Sequence, residues 1–478
     1  MTKQKIIIVG AGPGGLTAGM LLANKGFEVE IIEKENKVGG RCSSITADGF
    51  RFDIGPTFLM LKPILDEVFE AVGEQTETYM DFYDLDPMYH LVFKDQSIKL
   101  SRDHNKTREE IKTKFPGEEK GFDRLLKREG RRYKVAYPCL QKDYSRFYMM
   151  FNRDLFKFIP KLSFPNSMHK ELGRYFKNEN LKMAFTFQSK YLGMSPWDCP
   201  AAFMIIPYIE HNYGIQHVKG GLAEISEAMK QVFLKKGGKL SLNQEIIDIK
   251  ENEVTLKDGQ VLKADKIVIN ADVGYALKHL LKKKDLKNRQ FSCSTFMLYL
   301  GIDEELDLEH HTVFFSDDYK AYVDSIFKNK ELIDDISFYV RNASKTDPTL
   351  APAGKTNLYV LVPVPNNKSE IDWDKIKGEY RDKVIKKIED RTGVKISDKI
   401  ITERIITPKD WEEKHNVFLG ATFNLAHSLN QMLYFRPHNQ LSKSIFLVGG
   451  GTHPGSGLAT IYESARITAK LIADKLAD

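Results

Sequence analysis

An α/β fold with a parallel sheet at its centre is what this sequence predicts, and three observations carry the prediction. A β-branched run, Lys5 to Val9, enters Gly10-Ala11-Gly12-Pro13-Gly14-Gly15 directly. An acid, Glu33, closes a second apolar run, Glu28 to Ile32, 18 positions after Gly15. The same order returns near the other end: Ser444 to Val448 is apolar, Gly449 to Gly457 is glycine-rich, and a helical pattern starts at Leu458. Strand, G-x-G-x-x-G turn, helix and strand make a Rossmann-like βαβ unit of the dinucleotide-binding kind.

Each element follows from its residues. Lys5–Val9 suits a strand buried on both faces. Gly10 makes the tight turn, Gly12 lets the backbone approach a pyrophosphate, Gly14 continues the turn, and Gly15 lets helix and strand pack closely. The helix carries Leu16, Ala18, Leu21, Leu22 and Ala23 and ends at Gly26. Its N-terminus presents unpaired N–H groups and a positive dipole to phosphate. Glu33 can accept ribose hydroxyls. A glycine-rich loop that merely closes a βαβ unit would not need that acid. Lys34 follows, then Gly39-Gly40-Arg41, where the chain doubles back beside ribose and pyrophosphate and Arg41 can neutralise a phosphate. Nicotinamide domains rarely need this second glycine turn. FAD, long and held extended, does, and FAD is the cofactor expected.

The nucleotide fold then returns twice. A helix is predicted over Leu222 to Lys235 with Gly237-Gly238 capping it, a hairpin at Lys257-Asp258-Gly259, and a buried strand over Lys266 to Asn270. At the C-terminus, Gly450, Gly451, Gly457 and Leu458 belong to a loop feeding a helix predicted to reach Lys475. Such a loop can solvate a flavin's ribityl and ring oxygens. The expected organisation is a discontinuous FAD-binding domain (1–80, 215–295 and 441–478), an inserted α+β substrate domain (81–130 and 296–440), and a helical segment (131–214).

Composition narrows the function. A chain of 478 residues that is 42% hydrophobic can bury two or three lobes. No apolar run approaches the ~20 residues of a spanning helix. The N-terminus goes directly into a strand, so no signal peptide is visible. Cys42, Cys139, Cys199 and Cys293 are scattered without a C-x-x-C pair, which fits a reducing compartment and core thiols. The 12 histidines include no H-E-x-x-H, so no metal is expected, and His310-His311 reads as loop. The net charge of +6 is mild, but residues 131–190 hold 13 Lys/Arg against 4 Asp/Glu, with 13 Phe or Tyr among them. No RNP, KH or zinc-knuckle pattern accompanies these residues, so nucleic acid is not an expected partner. Two readings stay open: a solvated basic face, or a lipid membrane surface where Lys and Arg meet anionic head groups and the rings enter the interface. The membrane reading makes the segment membrane-facing and the protein cytoplasmic and peripheral to the inner membrane.

The stretch from Lys5 to Arg41 resembles the flavoprotein superfamily that includes amine oxidases, protoporphyrinogen oxidases and carotenoid desaturases. Further motifs narrow the resemblance: Asp53-Ile54-Gly55-Pro56-Thr57, Leu361-Val362-Pro363-Val364-Pro365, Thr407-Pro408-Lys409-Asp410-Trp411, Tyr434-Phe435-Arg436-Pro437-His438-Asn439, and Gly449 to Gly457. They look like bacterial carotenoid desaturases of the phytoene-desaturase type, over essentially the whole chain. The resemblance places Ile246 against the adenine, Asn270 near the pyrophosphate, and Pro56 and Thr57 beside the cofactor. Amine oxidases usually carry an acid in the C-terminal glycine loop, where this chain has Gly450. Phytoene-acting members tend to have Pro-Gly where this chain reads Gly457-Leu458-Ala459-Thr460-Ile461, which looks more like the branch acting at the 3,4 position of hydroxylated or monocyclic carotenoids.

What the resemblance implies is FAD-dependent desaturation of a carotenoid, with a quinone or oxygen reoxidising the flavin. The cofactor takes the hydride, and the protein supplies position and dryness. A long apolar tunnel is expected from Met183–Phe187, Ala201–Ile209 and Phe296–Leu300, although each stripe also reads as plain core. No base is evident; the family's acid–base pair would fall near Arg153-Asp154, where surface charge is the simpler role. The alternatives are phytoene desaturation, non-redox carotenoid isomerisation and flavin amine oxidation.

Overall fold

The computed structural model describes residues 4–283, 286 and 288–474. Lys5–Val9, Glu28–Ile32, Lys239–Ser241, Lys266–Ile269 and Ile445–Leu447 form one five-stranded sheet. All four pairings are parallel, in the order 239–241, 28–32, 5–9, 266–269, 445–447. A parallel sheet needs cover on both faces, which is why Ile6, Ile7 and Ile8 are all fully buried. The helix Pro13–Asn24 lies between sheet and helix Ala223–Lys235: a Cβ on Gly19 would come 2.9 Å from Ile31 and 3.1 Å from Phe233. The C-terminal helix runs Leu458–Asp474, and Lys475 lies outside the described residues.

The second layer is a seven-stranded sheet assembled from two distant insertions. Its order is Ile400–Ile406, Ser294–Ile302, Thr356–Val364, Phe338–Asn342, His311–Phe314, Tyr89–Val92, Ser97–Leu100. All its pairings are antiparallel except that of 311–314 with 89–92. The strand Ser294–Ile302 begins two residues before the expected boundary at 295/296. The boundary at 130/131 cuts a continuous 22-residue helix, Glu119–Leu140, so the helical segment starts earlier than its charge pattern does. From there to Tyr213 the chain is short helices and turns. The hairpin at 257–259 joins the antiparallel strands Glu253–Leu256 and Val261–Lys263.

Of His310-His311, His310 lies in the bend before a strand and only His311 departs from the expected loop. His311 starts a strand, both rings are buried, and they join a polar cluster. Arg341 donates to Asp53 (2.8 Å) and to His310 Nε2 (3.2 Å), and it lies 3.0 Å from His217 Nδ1. Desolvation, then the neighbouring charges, hold both imidazoles of 310 and 311 well below their ordinary range, so they are neutral core groups. Pattern reasoning missed this because the groups that meet them come from distant segments: Tyr339 on His311 Nδ1 (2.6 Å), and Thr346, Arg341 and His217 around His310.

Candidate active site

A cavity of about 840 Å³ runs from the carboxyl ends of the parallel strands to the face of the seven-stranded sheet. Ligand clefts in open α/β sheets sit at such carboxyl ends. Gly10, Gly12, Gly14, Glu33, Lys34, Gly40, Arg41, Pro56, Thr57, Ile246, Asn270, Gly450, Gly451, Gly457 and Leu458 all line it. Gly15 does not; its missing Cβ would sit 2.2 Å from the Gly10 carbonyl oxygen, so helix and turn touch there.

The nucleotide end is a cradle of bare backbone with charge at its rim. Gly10 turns at φ +98°, and its carbonyl accepts from Asn270 Nδ2 at 3.2 Å. A Cβ on Gly12 would meet Asn270 Nδ2 at 2.9 Å. Glu33 is aimed by two backbone donors, Ala11 N–H (2.7 Å) and Glu35 N–H (3.0 Å). Arg41 donates to the Thr422 carbonyl (2.8 Å) and lies 3.9 Å from Asp272. Burial raises the Asp272 carboxyl, with Arg41 and the N–H groups of Tyr275, Phe418 and Gly274 opposing. An open glycine wall, a fixed carboxylate and a cation along one elongated cavity fit a dinucleotide.

The C-terminal glycine loop is held from beneath. Arg436 donates to the carbonyls of Thr452 (2.9 Å) and Gly450 (2.8 Å). It is fully buried, and desolvation, helped by Arg289, pushes it down to about 9. His427 donates from Nδ1 to the Leu192 carbonyl (3.2 Å) and accepts the Ser456 N–H at Nε2 (3.1 Å). This bridge ties residues 187–192 to the flavin-side loop, and sequence reasoning missed it because 427 lies in irregular chain.

At the substrate end, alternation decides what faces the cavity. On strand 294–302, Thr295 and Met297 line it while Phe296 and Leu298 enter the core. Leu361 and Pro363 do the same on the paired strand. Of the expected stripes, Phe187, Phe203, Ile205, Ile206 and Ile209 line the cavity, whereas Ala184 and Phe185 are core. Tyr133, Tyr137, Lys190 and Tyr191 were not foreseen. Arg153 and Asp154 are absent from the lining; Asp154 pairs with Lys142 at 2.6 Å on the surface, which lowers its carboxyl. Behind Tyr191 lies a buried acid: Glu210 accepts from Tyr89 Oη (3.0 Å) and Gln188 Nε2 (2.8 Å), and desolvation pushes it up to about 7. Among the described residues no group of three or more His, Cys, Asp or Glu is placed to hold a metal.

Residues 13–473 match the model of the flavin containing amine oxidoreductases. The chain is also 50% identical to a 4,4'-diapophytoene desaturase (4,4'-diapolycopene-forming) of Methylomonas sp, over 99% of this chain and 96% of that one. The chain belongs to this flavoprotein family, among the carotenoid desaturases. FAD is therefore its cofactor. A zeta-carotene-forming phytoene desaturase of Myxococcus xanthus is 34% identical, over 98% of this chain and 93% of its own. A 4,4'-diapophytoene desaturase (4,4'-diaponeurosporene-forming) of Staphylococcus haemolyticus is 32% identical, over 98% and 99%. Putrescine oxidase shares the fold at a TM-score of 0.65 and 14% identity, each chain covered to 100%.

Proposed function

We propose that this protein desaturates an acyclic C30 carotenoid of the 4,4'-diapophytoene class, an FAD-dependent reaction. The observation that carries this is the full-length 50% identity to the Methylomonas sp enzyme of that name, and an apolar cavity continuous with the nucleotide cradle supports it. Bound FAD supplies a two-electron acceptor for hydride. The glycine turn, Glu33, Arg41 and the 449–457 loop would hold it, and the walls at Phe187, Ile209, Met297 and Phe338 would exclude water and align the polyene.

The lipid surface belongs to the same reading. Six large apolar side chains stand exposed between residues 147 and 164, from Ile159 at 49% to Phe164 at 77%. Arg146, Arg153, Lys157 and Lys161 interleave with them. Exposed rings with interspersed cations suit an anionic bilayer interface. Tyr144, at the root of this segment, packs 5.0 Å from His453 in the C-terminal glycine loop, so the patch adjoins the cavity's flavin side. No described helix is long and apolar enough to cross a membrane. The protein docks peripherally on the cytoplasmic face of the inner membrane, draws its substrate from the bilayer, and passes electrons to a quinone or oxygen.

A second reading is 3,4-desaturation of a hydroxylated carotenoid, favoured by Leu458, Ala459, Thr460 and Ile461 all lining the cavity. Expression in cells accumulating 4,4'-diapophytoene, phytoene or a 1-hydroxylated carotenoid, followed by pigment chromatography, separates the two. Conversion of the hydroxylated substrate alone would overturn the C30 reading.

A further inference from the structure

The substrate end of the cavity contains a group that a hydrocarbon does not need. Lys190 lies on the short helix Phe187–Leu192, lines the cavity, and is half-buried. A lysine normally snorkels its ammonium to water or pairs it with a carboxylate. Among the described residues Lys190 Nζ has neither an ion pair nor a hydrogen bond. Its neighbours are the rings of Tyr319 and Tyr322, with centroids 4.9 and 5.2 Å away. The backbone is fixed toward the flavin side through Leu192, His427 and Ser456, as described above.

We propose that Lys190 Nζ is the base that takes the proton lost in desaturation; this rests on the desaturase reading. Bound FAD would accept the electron pair of one allylic C–H bond as hydride. The C–H bond on the adjacent carbon breaks, its pair becomes the new C=C bond, and its proton moves to the lysine's lone pair. The resulting ammonium sits over two aromatic faces, which favour a cation more than a neutral amine. It returns the proton to water once product leaves.

The titration state agrees with the geometry. Desolvation pushes Lys190 down to about 7, with Cys293 opposing weakly. The other titratable groups facing it do not compete: burial pushes Cys293 up to about 12 and raises Tyr319 and Tyr322 further. An amine that loses its proton near pH 7 in an apolar pocket is a competent acceptor.

The test uses full-length, FAD-loaded protein with 4,4'-diapophytoene in liposomes. The wild-type single-turnover rate should rise with pH through about 7, and K190M and K190Q should be slower by about 100-fold or more at unchanged carotenoid binding. K190R keeps the charge but cannot accept a proton, so it should not rescue. A small primary amine should restore part of the rate to K190A, in proportion to its unprotonated fraction. Independently of turnover, retinal with cyanoborohydride should leave a reductive adduct on Lys190 of the apoprotein, found by peptide mass spectrometry. A K190M enzyme as fast as wild type, or no adduct at Lys190, would overturn the assignment while leaving the desaturase reading intact. A wild-type enzyme inert on every carotenoid would sink both.

Discussion

The two ends of the cavity are built by opposite means. The nucleotide end is mostly backbone: glycine turns, strand ends and two helix N-termini, trimmed by Glu33 and Arg41. The substrate end is mostly side chain, drawn from helices at 119–140 and 205–213 and from strands at 294–302 and 356–364. Backbone cradles depend on short-range sequence and tolerate almost no substitution. Side-chain walls depend on which face of each element points inward, and they can be reshaped for a different polyene while the cradle stays the same.

The comparison breaks most severely at the cradle. Gly12→Val should abolish FAD binding, because even its first side-chain carbon would press on Asn270 Nδ2 at 2.9 Å and fill the approach to the pyrophosphate. The purified variant should lack a flavin spectrum while keeping a folded far-UV signature; normal flavin content would place the cofactor elsewhere.

A smaller effect is expected at the exposed aromatic patch between residues 147 and 164. Replacing Phe151 and Phe164 with Asp removes two exposed rings, 64% and 77% accessible, that pack little against the core. Each ring leaving the interface forfeits about 1.5–3 kcal/mol of transfer free energy, so flotation with anionic liposomes should drop at least tenfold with little change in melting temperature. Raised salt should weaken the wild-type association in the same assay. Unchanged flotation would reduce the segment to an ordinary basic face.

The smallest effect sits behind the substrate wall. Glu210 has its folded pKa raised from 4.5 to about 7 by burial, against hydrogen bonds from Gln188 and Tyr89. The folded state therefore binds the extra proton between those values. That stabilisation is full below pH 4.5 and is lost as pH rises through about 7. The loss amounts to up to about 3 kcal/mol. Urea melts of Glu210→Gln should lack this decline between pH 5 and pH 8; an identical pH profile for both proteins would show that Glu210 ionises normally.

Legibility in the sequence follows the same division. The strands Lys5–Val9 and Glu28–Ile32 were readable to the residue because a βαβ turn is local: glycine placement and β-branching are enough. Lys190 was not readable. In Phe187-Gln188-Ser189-Lys190-Tyr191-Leu192 it looks like a solvated charge, whereas its Nζ stands against Tyr319 and Tyr322, about 130 residues away. His310 and His311 failed for the same reason, since Arg341 and His217 meet the first and Tyr339 the second from other segments. The start of the helical segment was misplaced because charge composition changes at 131 while the helix runs unbroken from Glu119.

The central claim is tested most directly by anaerobic single turnover of the FAD-loaded protein on anionic liposomes carrying 4,4'-diapophytoene, with product mass and flavin spectrum read together. The account predicts a product lighter by two hydrogens for each flavin bleached. A product of unchanged mass, or a flavin that stays oxidised while the carotenoid changes, would contradict it.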